Sequence, residues 1–97
     1  MKRIVKVKYK DLFGAILCHT VDMTTEEVNV FIDPVYEALS KARSRAIEET
    51  NDKDTIDEWY LNWWFGNRLY HEKNEELKEL YSQIWKSVSN EISKAKT

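Results

Sequence analysis

Glycine and proline are almost missing from this chain, with Gly14, Gly66 and Pro34 the sole examples among 97 residues. A phosphate-cradling loop needs several closely spaced glycines, so P-loop and dinucleotide-binding chemistry has no foothold. One cysteine, Cys18, cannot form an internal disulfide. That fits a reducing, cytoplasmic setting and leaves helices and core packing to supply stability. Cys18, His19 and His71 cannot complete a structural zinc site without carboxylates, and no HExxH-type pattern surrounds His71, so neither a metal nor a cofactor is expected. No apolar run approaches the roughly eighteen residues of a membrane span. The opening MKRIVKVKYK has a basic head without the apolar stretch and small-residue cleavage site of a secretory signal.

Catalytic groups are scarce as well. A nucleophile and base would have to be Cys18 with His19 or His71; neighbours on a strand point to opposite faces, which leaves His71 alone. Nothing in the sequence sets a helix N-terminus or a cation beside Cys18 to activate it. The acidic pairs Glu26–Glu27, Glu48–Glu49 and Glu75–Glu76 fall at helix ends or on charged faces, where capping and solvation account for them. The chain reads as non-enzymatic.

What is present is apolar and charged: 42% hydrophobic, 12% aromatic and 33% charged residues, the profile of one folded domain over 1–97. The formal charge of −2 is uneven. Residues 1–11 carry Lys2, Arg3, Lys6, Lys8 and Lys10 against Asp11, a balance of +4, so residues 12–97 hold −6. An acidic body disfavours sequence-independent duplex binding, which draws its affinity from clustered cations.

RIVKVKY alternates Val5, Val7 and Tyr9 with Lys6, Lys8 and Lys10, the period of a half-buried strand. KDLFG then reads as a turn and AILCHTV as a second strand, giving a β-hairpin over 3–21 that must lie on helices to be stable. Thr24 and Glu27 form a capping box for a helix over 24–49, with apolar positions Val28, Phe31, Ile32, Val35, Leu39, Ala42 and Ala46. Pro34 predicts a kink, or a break into two helices with Asp33 capping the second; a competing reading makes Val28, Val30 and Ile32 a third strand. ETNDKD is a linker, and Thr55 with Glu58 offers another capping box, for an aromatic helix over 55–66 that Gly66 would end. A C-terminal helix follows within 67–95, with Asn74 as the favoured cap of an amphipathic segment over 75–94. The alternative is one continuous helix of about forty residues, roughly 60 Å long, which would invite dimerisation. The expected fold is α+β: an N-terminal β-hairpin packed on three to four helices, with a long amphipathic C-terminal helix.

Two stretches point to binding. EWYLNWWFGNRLYH, residues 58–71, holds three of the four Trp, two Tyr and a Phe. Each large aromatic buries about 150–250 Å², so two or three would anchor a core this small and the rest would lie near the surface. Trp, Tyr and Arg are the residues most enriched at interface hot spots, which makes Trp59, Trp63, Trp64, Arg68 and Tyr70 the candidate contact residues, with Trp63 or Trp64 as anchor. In SKARSRAIEE, Lys41 and Arg45 share a helix face while Arg43 is displaced; the three are candidates for a phosphate or an acidic partner. The expected function is a small intracellular protein that binds a protein partner through an aromatic helical surface, as an inhibitor or adaptor, with self-association as a related outcome. The alternative is single-stranded nucleic acid or a nucleotide stacked on the rings, opposed by the acids Asp52, Asp54, Asp57, Glu58, Glu72, Glu75 and Glu76 that frame the run.

Overall fold

The computed structural model describes residues 4–96. In chain order the elements are β1 (Ile4–Lys6), α1 (Tyr9–Leu17), α2 (Thr25–Thr50), β2 (Thr55–Asp57), α3 (Glu58–His71) and α4 (Glu75–Lys96). The architecture is α+β, a two-stranded antiparallel pair packed on four helices, with the long amphipathic helix at the C-terminus.

The partner of β1 is not the one expected. Residues 9–17 form a helix, and β1 pairs with β2, in the register Ile4↔Asp57, Val5↔Ile56 and Lys6↔Thr55. The first half of the 3–21 hairpin survives as alternation, since Val5 and Val7 are buried while Lys6 and Lys8 are exposed; Arg3 lies outside the described residues. The second half fails because Leu12 and Ile16 are fully buried four residues apart, while Tyr9 and Phe13 pack beside them at the same spacing. That is a helical stripe, and burying it outweighs the β-propensity of AILCHTV. Gly14 is an interior residue of α1 and makes no turn.

α1 rests on α2 through rings and a guanidinium. Tyr9 and Phe13 meet edge-on at 5.1 Å, Phe13 meets Tyr36 at 4.9 Å, and Arg43 lies 4.7 Å from the Tyr9 ring centre. The Tyr9 hydroxyl donates to the Leu39 carbonyl. Burial pushes that phenol well above the usual tyrosine range, with the Arg43 charge opposing it, and burial raises Tyr36 in the same direction.

α2 is one helix. Its capping box is formed, with Thr24 Oγ1 accepting from Glu27 N at 3.2 Å and Glu27 Oε1 accepting from Thr24 N at 3.2 Å. It ends at Asn51, whose φ of 57° places it in the left-handed conformation. Pro34 sits inside without breaking it. The carbonyl that loses its donor belongs to Val30, a residue 61% exposed and so outside the packed face of the helix. Phe31, Ile32, Val35 and Leu39 bury one face on both sides of the proline. That continuous contact overrides both the predicted break and the third-strand alternative.

β2 and α3 meet at Asp57, which is fully buried. Its Oδ1 accepts from Tyr60 N at 3.2 Å as the α3 N-cap, and its Oδ2 pairs with Arg45 Nε at 3.2 Å. Asp57 therefore takes the capping role that the sequence assigned to Thr55, which lies in β2 with its hydroxyl bonded to Asp52 O at 2.8 Å. The Asp52 carboxyl is held below the usual carboxylate range by the Asp54 N–H and by Lys6. α3 runs through Gly66 to His71, because that glycine is in ordinary helical geometry. The separation from α4 falls at residues 72–74, where Asn74 Oδ1 accepts from Glu76 N at 2.9 Å and Leu77 N at 3.2 Å. The molecule measures 36 × 25 × 22 Å, which the continuous forty-residue helix would exceed.

Asp57→Ala removes the α3 N-cap and leaves Arg45, whose side chain is 34% exposed and so partly served by water, without its partner; it should lower unfolding free energy by about 2–3 kcal/mol in urea titrations, and a loss below about 1 kcal/mol would show these contacts to be dispensable. Gly14 is exposed, and an added Cβ there would meet nothing within 4 Å. Gly14→Ala should accordingly raise stability by about 0.5–1 kcal/mol in the same assay.

Candidate functional site: the outer face of helix α3

The fourteen residues of α3 split their aromatics between two sides. Tyr60, Leu61 and Phe65 are buried against the rest of the domain. Trp59, Trp63 and Tyr70 are 43%, 50% and 84% exposed. The last three fall at i, i+4 and i+11, one stripe of a helix, spanning about 16 Å at the standard rise per residue. The expectation that residues 58–71 carry more ring surface than the core uses is met in this division.

Two of the outer rings have ring neighbours. Trp63 lies 5.6 Å from buried Tyr60, and Tyr70 meets His71 edge-on at 5.1 Å. Behind them Trp85 of α4 stacks on Phe65 at 5.9 Å and donates its indole N–H to Asn62 Oδ1 at 3.0 Å. Gly66 lies where α4 crosses, and a Cβ there would touch Trp85 at 4.0 Å. Lys96 pairs with Glu58 Oε2 at 2.7 Å, fastening the end of α4 to the start of α3.

Two of the five candidate contact residues face inward. Trp64 is half-buried, edge-on to Phe65 at 5.0 Å and to Tyr81 at 6.1 Å. Arg68 lies 5.8 Å from the Trp64 ring centre and 5.1 Å from that of Tyr81, and it donates to the Tyr81 hydroxyl at 3.1 Å. These two are packed at the edge of a cleft of about 260 Å³ between α2 and α3, whose lining includes Lys41, Tyr60, Trp64 and Arg68.

Of the three cations singled out in residues 40–49, two are committed to structure. Arg45 pairs with Asp57 and lies 5.2 Å from the Tyr60 ring centre. Arg43 donates to Lys53 O at 3.1 Å and covers Tyr9. Lys41 alone is exposed, 6.0 Å from the Tyr60 ring centre.

A further apolar surface had no counterpart in the sequence reading. Leu17, Val21 and Val30 are 50%, 79% and 61% exposed. Val30 borders a groove of about 300 Å³ with Met23, Leu77 and Leu80, rimmed by Glu26, Glu27 and Glu76. The signal was present in Val21, which the hairpin reading placed on a strand and which sits in a turn. Cys18 Sγ donates to Ala15 O at 2.9 Å, while His19 Nε2 contacts Ser87 Oγ at 2.9 Å, so thiol and imidazole are engaged separately. Among the described residues no cluster of three His, Cys, Asp or Glu could hold a metal ion, and no helix is long and apolar enough to cross a membrane.

No protein-family model, curated protein or solved structure matches this chain.

The two sides of α3 should respond differently to truncation. Trp64→Ala, which removes a ring packed on Phe65, Tyr81 and Arg68, should cost about 2–4 kcal/mol of unfolding free energy, whereas Trp63→Ala should cost under about 1 kcal/mol. Equal losses in denaturant titrations would mean that Trp63 belongs to the core.

Proposed function

We propose that this protein is a non-enzymatic, cytoplasmic binding protein that docks a protein partner on the outer face of α3 and acts by occluding or bridging that partner. The observation that carries this reading is the stripe of Trp59, Trp63 and Tyr70, three large rings exposed on one side of a helix whose other side is locked into the core. Rings on a rigid element lose little conformational freedom when they are covered, and an apolar helix face at i, i+4 and i+11 matches a partner offering a hydrophobic groove. Trp63, central in the stripe and backed by Tyr60, is the expected anchor.

A single strand of nucleic acid stacked on the same rings has weaker support. Glu72 and Glu75 follow the stripe at its C-terminal end, and Glu58 at the other end is already paired with Lys96, so that cation is not free and phosphates approaching Tyr70 meet like charge. A second copy of this chain is a further candidate occupant of the face, and it would put the stripe at a dimer interface.

The test is affinity capture with the full chain as bait, mass-spectrometric identification of what is held, and titration of that purified protein against the bait. The triple variant Trp59→Ser/Trp63→Ser/Tyr70→Ser should keep the helical circular-dichroism spectrum and lose affinity by about a hundredfold or more. Undiminished affinity in a folded triple variant would overturn the reading. Light scattering on the free chain would reveal the dimer, and a dimer that the triple variant leaves intact would remove self-association from this face.

A further inference from the structure

We propose that the cleft between α2 and α3 is a binding site for the phosphate group of a small organic phosphate, with Lys41 and Arg68 as its cations and Tyr60 and Trp64 as its aromatic wall. The site does not depend on α3 docking a protein. It joins two groups of residues that are far apart in sequence, one cation from SKARSRAIEE and one from the aromatic run, in a single cleft of about 260 Å³.

Three observations carry it. Arg68 has no carboxylate within ion-pair distance among the described residues, and its Nε is sealed from solvent without an acceptor. A guanidinium in that position is a half-buried charge compensated only by ring faces and one hydroxyl, so an anion at the part of Arg68 that lines the cleft supplies the counter-charge that the fold withholds. The cations also differ in kind: Lys41 is an exposed point charge with a mobile ammonium, and Arg68 is a planar fork held between the rings of Trp64 and Tyr81. A dianionic, tetrahedral oxyanion can use both at once. Finally, the cleft is larger than a free phosphate needs, and Pro34, Tyr60 and Trp64 line it together with the cations, which leaves room for a small organic part attached to the phosphate. Arg45 and Arg43, the neighbouring cations on α2, are held by Asp57 and by the Lys53 carbonyl and add no free charge to the cleft. Glu37 lines it and opposes the anion.

The proposal is tested by titrating the nitrogen-labelled full chain at low salt while following the Arg68 Nε–H and Trp64 indole N–H resonances. The probes are inorganic phosphate, ribose 5-phosphate and adenosine monophosphate, with sodium chloride at matched ionic strength as control. At least one organic phosphate should give a saturable shift of both signals with half-saturation near or below about 1 mM. Lys41→Gln should weaken it about fivefold or more, and Glu37→Gln should tighten it, a change of opposite sign that loss of packing would not produce. Tighter binding of adenosine monophosphate than of ribose 5-phosphate would place a base on the aromatic wall; equal binding would restrict recognition to the phosphate and sugar. Arg68→Lys keeps the charge, loses the fork and should bind weakly; should it unfold, Lys41→Gln and Glu37→Gln remain decisive because both side chains are exposed. The absence of a saturable shift up to about 10 mM, the same shift with chloride, or indifference to Lys41→Gln would overturn the proposal.

Discussion

The carboxylate of Asp57 is the point at which three parts of the chain are fixed relative to one another. Its backbone closes the β-ladder opposite Ile4, one oxygen starts α3, and the other holds Arg45 on α2. Each contact alone is modest, of the order of 1–2 kcal/mol for a cap or a charge-assisted bond. Their joint geometry matters more. Because one fully buried group serves all three, α3 can leave β2 in only one direction, and the side of α3 that carries Trp59 and Trp63 is settled by that exit. A shift of the helix start by one residue would rotate the stripe by about 100° and drive exposed rings toward the core.

That arrangement explains which parts of the fold could be read in the chain and which could not. The apolar stripe of α2 was legible position by position, since Phe31, Ile32, Val35, Leu39, Ala42 and Ala46 are all buried. The Thr24 capping box and the Asn74 cap were legible for the same reason: local chemistry at fixed spacing satisfies specific orphan donors. The pairing of β1 with β2 was not. It joins segments about fifty residues apart, and nothing local in a three-residue strand specifies its partner. Residues 9–17 carry two signals, since Tyr9, Leu12, Phe13 and Ile16 satisfy a helical period while the residues after Gly14 look strand-like; the burial of Leu12 and Ile16 decides between the two. Gly66 and Pro34 are weak punctuation in this chain. Neither has a conformation that an α-helix forbids, and the packing on both sides of each carries the helix through.

The candidate site was legible in composition and illegible in orientation. A surplus of rings in residues 58–71 follows from counting, but which rings face outward depends on the rotation of α3, which Asp57 and α4 set. Trp63 and Trp64 are neighbours in sequence and differ in kind: one is half exposed beside Tyr60, the other packs on Phe65 and Tyr81. The cations show the same limit. Helical spacing correctly put Lys41 and Arg45 on one face, yet the fate of Arg45 was decided by Asp57, twelve residues further on, and Arg43 was drawn to the Lys53 carbonyl. No spacing rule within residues 40–49 contains that information.

Tyr60 is where the stripe and the cleft meet. Its buried ring touches Trp63 of the stripe, lies near Arg45 and Lys41 of α2, and forms part of the cleft wall. A ligand that draws Lys41 toward its own negative charge takes a cation away from the ring, at a cost of about 0.5–1 kcal/mol for an exposed contact, while a partner that covers Trp63 removes water from the neighbouring face and strengthens every electrostatic interaction there. Both events therefore act on the same side chain. If occupancy of one site alters affinity at the other, the second must alter the first by the same factor, because a coupling free energy belongs to the pair of sites and not to either one. Such a coupling would run through the shared ring, over adjacent side chains, without a rearrangement of the helices that Asp57 and the α3–α4 contacts hold in place.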